Sequence, residues 1–288
     1  MTFLGALVEH EFLRVVALAA VVAAVAGGVV GTVVVTRRLT FLAGGIAHAT
    51  LGGMGIAQWA GWNLIGGAAV AAVASALLIG AIARAGRQHE DMLIGAIWAV
   101  GMAVGLIAVA HTPGYQVNLL SFLLGNLLMV TWPELWTMAT ITVLVLLMLR
   151  LLWRPVMATL FDEEFATTRG LPTLAITLGV LVAVALVVVV LLRAVGLVLV
   201  MALLTLPTAT AGLFVRSIGW LMVASVLLAL AAMWVGLEIA MLTDSPAGAS
   251  IVLTAAVGYL IALSVWQRHR RPGPRPGDAR RTTEKAAP

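Results

Sequence analysis

Residues 172–215 read PTLAITLGVLVAVALVVVVLLRAVGLVLVMALLTLPTATAGLFV, and Arg193 is the only charge among them. A helix needs about 20 apolar residues to cross a hydrocarbon core about 30 Å thick. This stretch is twice that length, so it predicts two consecutive spans, 172–192 and 195–215. Its valines, leucines and alanines run on without period-2 alternation, which argues against strands of an outer-membrane barrel. Working outward, comparable runs occur at 12–35, 41–60, 64–83, 92–110, 133–153, 217–238 and 247–266. A shorter run, 117–130, is suited to a re-entrant or interfacial helix.

Composition agrees. The chain is 62% hydrophobic and 10% charged, with mean hydropathy +1.10. Soluble domains are about 45–50% apolar and about 25% charged, so too little polar surface exists here to cover a water-soluble fold. The formal net charge is +5. All of that excess lies in residues 268–288, whereas the first 267 residues hold ten basic and ten acidic side chains. The high pI is therefore a property of a short tail and does not point to nucleic acid.

Arginines set the orientation, because cytoplasmic loops are enriched in Lys and Arg. Arg37/Arg38, Arg84/Arg87, Arg150/Arg154/Arg169, Arg216 and the tail fall in alternate connections, and Arg193 is the exception. The expected fold is an all-α polytopic membrane protein of about 8–9 transmembrane helices, with the N-terminus outside and the C-terminus cytoplasmic. Residues 1–267 form one membrane domain; 268–288 form a basic tail of the composition expected of disordered segments. The tail either lies on anionic lipid or is a solvated positive-inside anchor. The N-terminus is not a signal peptide, since Glu9 and Glu11 stand where a basic region is needed.

Several chemistries are excluded. Cysteine is absent and Lys285 is the one lysine. There is no thiolate metal site, no cysteine nucleophile, and no lysine for a phosphate-binding loop. The chain is not expected to be an enzyme, and ATP, if used, must be hydrolysed elsewhere. No acidic pair at mid-membrane and no pseudo-repeat suggests a secondary transporter. Ionisable groups inside spans are costly and are functional candidates by default. Two qualify: His48, within AGGIAHATLGG at 43–53, and Glu238, within VGLEIA at 235–240. Imidazole and carboxylate are both transition-metal ligands. The alternative is that His48 bonds a neighbouring carbonyl and Glu238 sits near an interface. Pro207 inside an apolar run predicts a broken helix, with Thr205, Thr208 and Thr210 placed either to line a cavity or to satisfy freed carbonyls. In the segment 155–171, Asp162 is expected to cap a short helix, with Glu163 and Glu164 in its first turn and Gly170 as its stop.

Five stretches carry a resemblance to a known family. They are GTVVVTRRLTFL at 31–42 with HAxLxG at 48–53, LLGNLL at 123–128, FDxxxAxxxG at 161–170, VGxxLVxALLxxPxAxA at 195–211 and SPxGxSIV at 245–252. Together they resemble the permease subunit of the zinc/manganese/iron class of ATP-binding-cassette importers, a prokaryotic plasma-membrane family. The resemblance implies a homodimer, alternating access, a divalent metal ion as cargo and no permanently bound cofactor. It implies an ATPase subunit, carrying the ATP, that docks on the cytoplasmic segment with Phe161, Asp162, Ala166 and Gly170. It also implies an extracellular metal-binding protein, and a metal path along the helix of His48. Manganese-type members often carry Asp four residues before this His; here the position is Gly44. Carboxylate oxygen suits manganese and imidazole suits zinc, so zinc is favoured over manganese or iron. The alternatives are a permease for a metal chelate of siderophore or cobalamin type and, further off, a secondary transporter.

Overall fold

A computed structural model of the chain describes residues 11–85, 90–112, 125 and 127–269. These residues are almost entirely helical, and no strand occurs among them. Numbered in chain order, the helices are α1 Glu11–Thr36, α2 Thr40–Trp59, α3 Leu64–Ala85, α4 Glu90–Ala110, α5 Trp132–Leu151, α6 Trp153–Phe161, α7 Glu163–Thr168, α8 Thr173–Val195, α9 Leu197–Gly212, α10 Ile218–Thr243 and α11 Ala247–His269. A 3-10 turn, Leu127–Met129, precedes α5. Among the described residues eight helices are long and apolar enough to cross a membrane, and the chain is a multi-pass membrane protein.

Three helices form the interior. The most apolar windows of α1, α2 and α8 are 67%, 78% and 61% buried, against 17% in α4 and α11. α1 packs against α9 and α10, α2 lies between α3 and α4, and α8 joins the halves through α3, α2 and α5. Small residues allow this. A Cβ placed at Gly52 would lie 2.5 Å from the Gly101 carbonyl, and one at Gly55 would overlap the Gly105 carbonyl. The α2–α4 seam thus brings backbone onto backbone, the close approach that stabilises helix pairs in lipid.

Two expectations need correction. The run 195–215 yields α9, a helix of 16 residues, about 24 Å long, which is short of a full span. Its helix continues through Pro207. The discontinuity lies at Gly196, whose φ of +79° belongs to the left-handed side that glycine reaches without a Cβ clash. The helix boundary therefore lies at the Val195–Leu197 junction, and Pro207 is accommodated within a continuous helix. α11 continues through Arg268 and His269; the remainder of the expected tail, residues 270–288, lies outside the described residues, as do 1–10 and most of 117–130.

Candidate functional site

His48 lies near the middle of α2 and is 8% exposed. Its Nδ1 is 2.8 Å from the Gly44 carbonyl oxygen one turn earlier. A carbonyl only accepts, so this bond places the proton on Nδ1 and leaves Nε2 with a free lone pair. The two readings of His48 are therefore compatible: the carbonyl bond is made, and it leaves the other nitrogen with its lone pair. Trp98 of α4 stacks on the imidazole with centroids 4.0 Å apart and planes 27° apart, which fixes the ring. Phe41 stands 6.2 Å from Trp98.

Glu238 occupies another depth. It is five residues from the end of α10, about 8 Å along the axis, and partly exposed. α10 packs on α1, α9 and α11, and α2 packs on α3 and α4. Among the described residues no group of three or more His, Cys, Asp or Glu gathers as a metal cluster.

The threonines of α9 do not repair the proline. Pro207 has no N–H and leaves the carbonyl four residues earlier, that of Leu203, without its helical donor. Thr205 Oγ1 donates to Met201 O at 2.7 Å and Thr210 Oγ1 to Leu206 O at 2.7 Å. Thr208 Oγ1 is buried and has no hydrogen-bond partner.

The segment after α5 folds as two short helices. Asp162 is extended and its Oδ1 accepts the Phe165 N–H at 2.8 Å, capping α7. Glu163 and Glu164 occupy the first turn of that helix, where the helix dipole favours them. Gly170, with φ +76°, ends it. Ala166 is fully buried, while Phe161 and Phe165 are 71% and 52% exposed. Arg169 lies 5.0 Å over the Phe165 ring. The result is a small platform that presents two aromatic side chains outward.

Two interactions were not legible beforehand. Arg37, at the α1–α2 connection, donates to the Thr159 carbonyl of α6 at 2.7 Å and to Thr177 Oγ1 of α8 at 3.3 Å. Burial pushes its guanidinium below the ordinary arginine value, and the charge of Glu163 opposes this. Arg37 therefore ties the two-helix platform to the foot of α2. At the opposite end, Arg193 Nε donates to Glu134 Oε1 at 2.6 Å. Glu134 Oε2 accepts the Thr131 N–H at 2.9 Å. The one arginine that broke the charge pattern is neutralised by the first turn of α5. Glu134 had a signal in the sequence, the Thr131-Trp-Pro-Glu134 spacing of a capping box. Arg37 had none beyond its role as an orientation marker. A cleft of about 290 Å³ opens beside the Glu134–Arg193 pair, lined by Met54, Leu64, Met129 and Val189.

The chain was compared with known proteins. The model of the ABC 3 transport family matches residues 9–266. A probable metal transport system membrane protein of Chlamydia pneumoniae is 36% identical over 265 residues, covering 90% of each chain. The manganese transport system membrane protein MntC of Halalkalibacterium halodurans is 31% identical over 260 residues, covering 90% of this chain and 89% of that one. Among solved structures, PsaBC from Streptococcus pneumoniae in complex with Fab superposes with a TM-score of 0.80 at 28% identity, covering 90% of this chain and 94% of that one.

Proposed function

Since the chain belongs to the ABC 3 transport family, we propose that it is the membrane-spanning subunit of an ATP-driven importer of divalent metal ions, with zinc preferred. Two copies form the path, and a separate ATPase supplies the free energy. An extracellular metal-binding protein delivers the ion. The observation that carries this reading is His48: a buried imidazole at mid-span whose Nδ1 is held by Gly44 O, leaving Nε2 as a metal ligand. Zinc is favoured over manganese because Gly44 stands one turn before His48 where a carboxylate would supply oxygen, and no carboxylate-rich cluster gathers among the described residues; hard oxygen ligands are what suit manganese. The relatives named for manganese make this preference the sharper part of the proposal.

The platform of α6 and α7 receives the ATPase, with Phe161 and Phe165 as exposed anchors and Asp162, Ala166 and Gly170 shaping the turn. Arg37 carries displacement of the platform to the start of α2, the helix of His48. This assigns the Arg37 end to the cytoplasm, where loop arginines collect, and the Glu134–Arg193 end to the outside. Glu238, near the outer end of α10, belongs to the approach to the path. Thr205 and Thr208 line it on α9, on either side of Pro207.

The test is ATP-dependent metal uptake into vesicles containing the chain and its cognate ATPase. His48→Ala should lower zinc uptake by at least about tenfold while leaving the complex assembled. Wild-type uptake by that variant would make His48 a packing residue and remove the proposed ligand.

A further inference from the structure

We propose, on the reading that His48 lines the metal path, that Met201 of α9 is the second donor to the ion held by His48, making an imidazole–thioether site. A Cβ placed at Gly44 would lie 3.0 Å from Met201 Cε and 3.6 Å from Met201 Sδ, and nothing else stands within 4 Å. The thioether of α9 therefore covers the position one turn below His48. Direction around α2 completes the placement. Successive residues advance about 100° around a helix, so Gly44 and Gly45 point to different neighbours. Gly44 faces Met201, and a Cβ at Gly45 would lie 2.7 Å from Ile94 Cγ2 of α4. His48, four residues after Gly44, projects between those two directions. Its α4 flank is taken by the stacked Trp98 ring. Its other flank is the one on which Met201 lies.

α9 supports the assignment. Met201, Thr205 and Thr208 fall at i, i+4 and i+7, one stripe of an otherwise apolar helix. Thr205 Oγ1 bonds back to the Met201 carbonyl at 2.7 Å, and Thr208 Oγ1 is buried without a partner. A methionine alone on an apolar helix is filler; a methionine that heads a hydroxyl stripe and covers the flank of a buried imidazole has a second use. Thioether sulfur is a soft donor and imidazole a borderline one, so the pair suits zinc and softer cations and discriminates against manganese. Two protein donors bind loosely, which a transport path requires, because the ion must also leave.

The substitution that isolates sulfur from volume is Met201→Leu. In vesicles carrying the chain with its ATPase, ATP-driven uptake is measured separately for zinc, for cadmium as the softer ion of the same charge, and for manganese. The preference for zinc and cadmium over manganese should fall by about tenfold in Met201→Leu. An unchanged preference would overturn the proposal. A spectroscopic arm stands apart from transport. The chain has no cysteine, so any sulfur it gives to a metal comes from methionine. X-ray absorption of the cadmium-loaded complex should show a sulfur shell in the wild type that is lost in Met201→Leu. A wild-type spectrum without sulfur, or a shell that persists in the variant, would overturn it. A complex that moves no metal at all would count against the transport reading, while this spectrum still decides the ligand.

Discussion

Arg37 illustrates how much one side chain can carry in a protein with few polar groups. α6 ends at Phe161; Ala158 O still accepts the Asp162 N–H, and the carbonyls after it run out of helical donors. The Arg37 guanidinium reaches the Thr159 carbonyl and, on its other arm, Thr177. A hydrogen bond to a charged donor contributes about 2 kcal/mol. Arg37→Met should keep the aliphatic stem and lose both bonds. The expected result is a drop in metal moved per ATP hydrolysed in the vesicle assay, larger than any drop in assembled complex; an unchanged ratio would mean that Arg37 only anchors the loop. Glu134 allows a cleaner separation. One oxygen pairs with Arg193 and the other accepts Thr131 N–H. The pair is partly exposed, 44% and 23% for the two side chains, and such pairs contribute about 0–1 kcal/mol. Glu134→Gln retains an acceptor for Thr131 and should barely move the thermal midpoint in detergent. Glu134→Ala also loses the helix-start acceptor and should cost about 1 kcal/mol more.

At the scale of elements, α2 is the helix that structure and proposal both place at the centre. Its glycines let α4 approach until backbones touch, which seats Trp98 on His48. Gly52→Leu would force the helices apart, because a Cβ already falls 2.5 Å from the Gly101 carbonyl. Overpacking of this kind costs about 1–3 kcal/mol. The expected outcomes are a lower thermal midpoint and altered tryptophan fluorescence from Trp98; a wild-type midpoint would show that the seam can part freely. In α7 the local rules were legible from the sequence, because Asp162 and Gly170 act through their own backbone. Gly170→Ala must adopt a left-handed conformation that costs about 1–2 kcal/mol, and metal-stimulated ATP hydrolysis by the assembled complex should weaken accordingly. α9 shows the converse. Its proline suggested a break, yet the chain turns at Gly196, where a left-handed φ is available, and the helix absorbs Pro207 further on.

At the scale of the whole molecule, eight spans were readable to within a few residues, since length and apolarity alone define them; 195–215 was the exception. The expected 172–192 became Thr173–Val195 and the expected 247–266 became Ala247–His269. What could not be read was which face of each helix meets which neighbour. In lipid, a residue facing another helix and one facing acyl chains are equally apolar, so periodicity carries little phase. Met201 against Gly44, Arg37 against Thr159 and Glu134 against Arg193 are all contacts between distant segments, and each needed the packing to appear. The same packing gives the account its shape: a platform at one end, an arginine tie to α2, a buried imidazole at mid-span, and a neutralised ion pair at the far end. The most direct test is zinc uptake by vesicles containing the chain and its ATPase, with ATP supplied only on the ATPase side. The expected result is ATP-dependent accumulation of zinc, faster than that of manganese at equal concentration. A complex that hydrolyses ATP under these conditions and accumulates neither metal would contradict it.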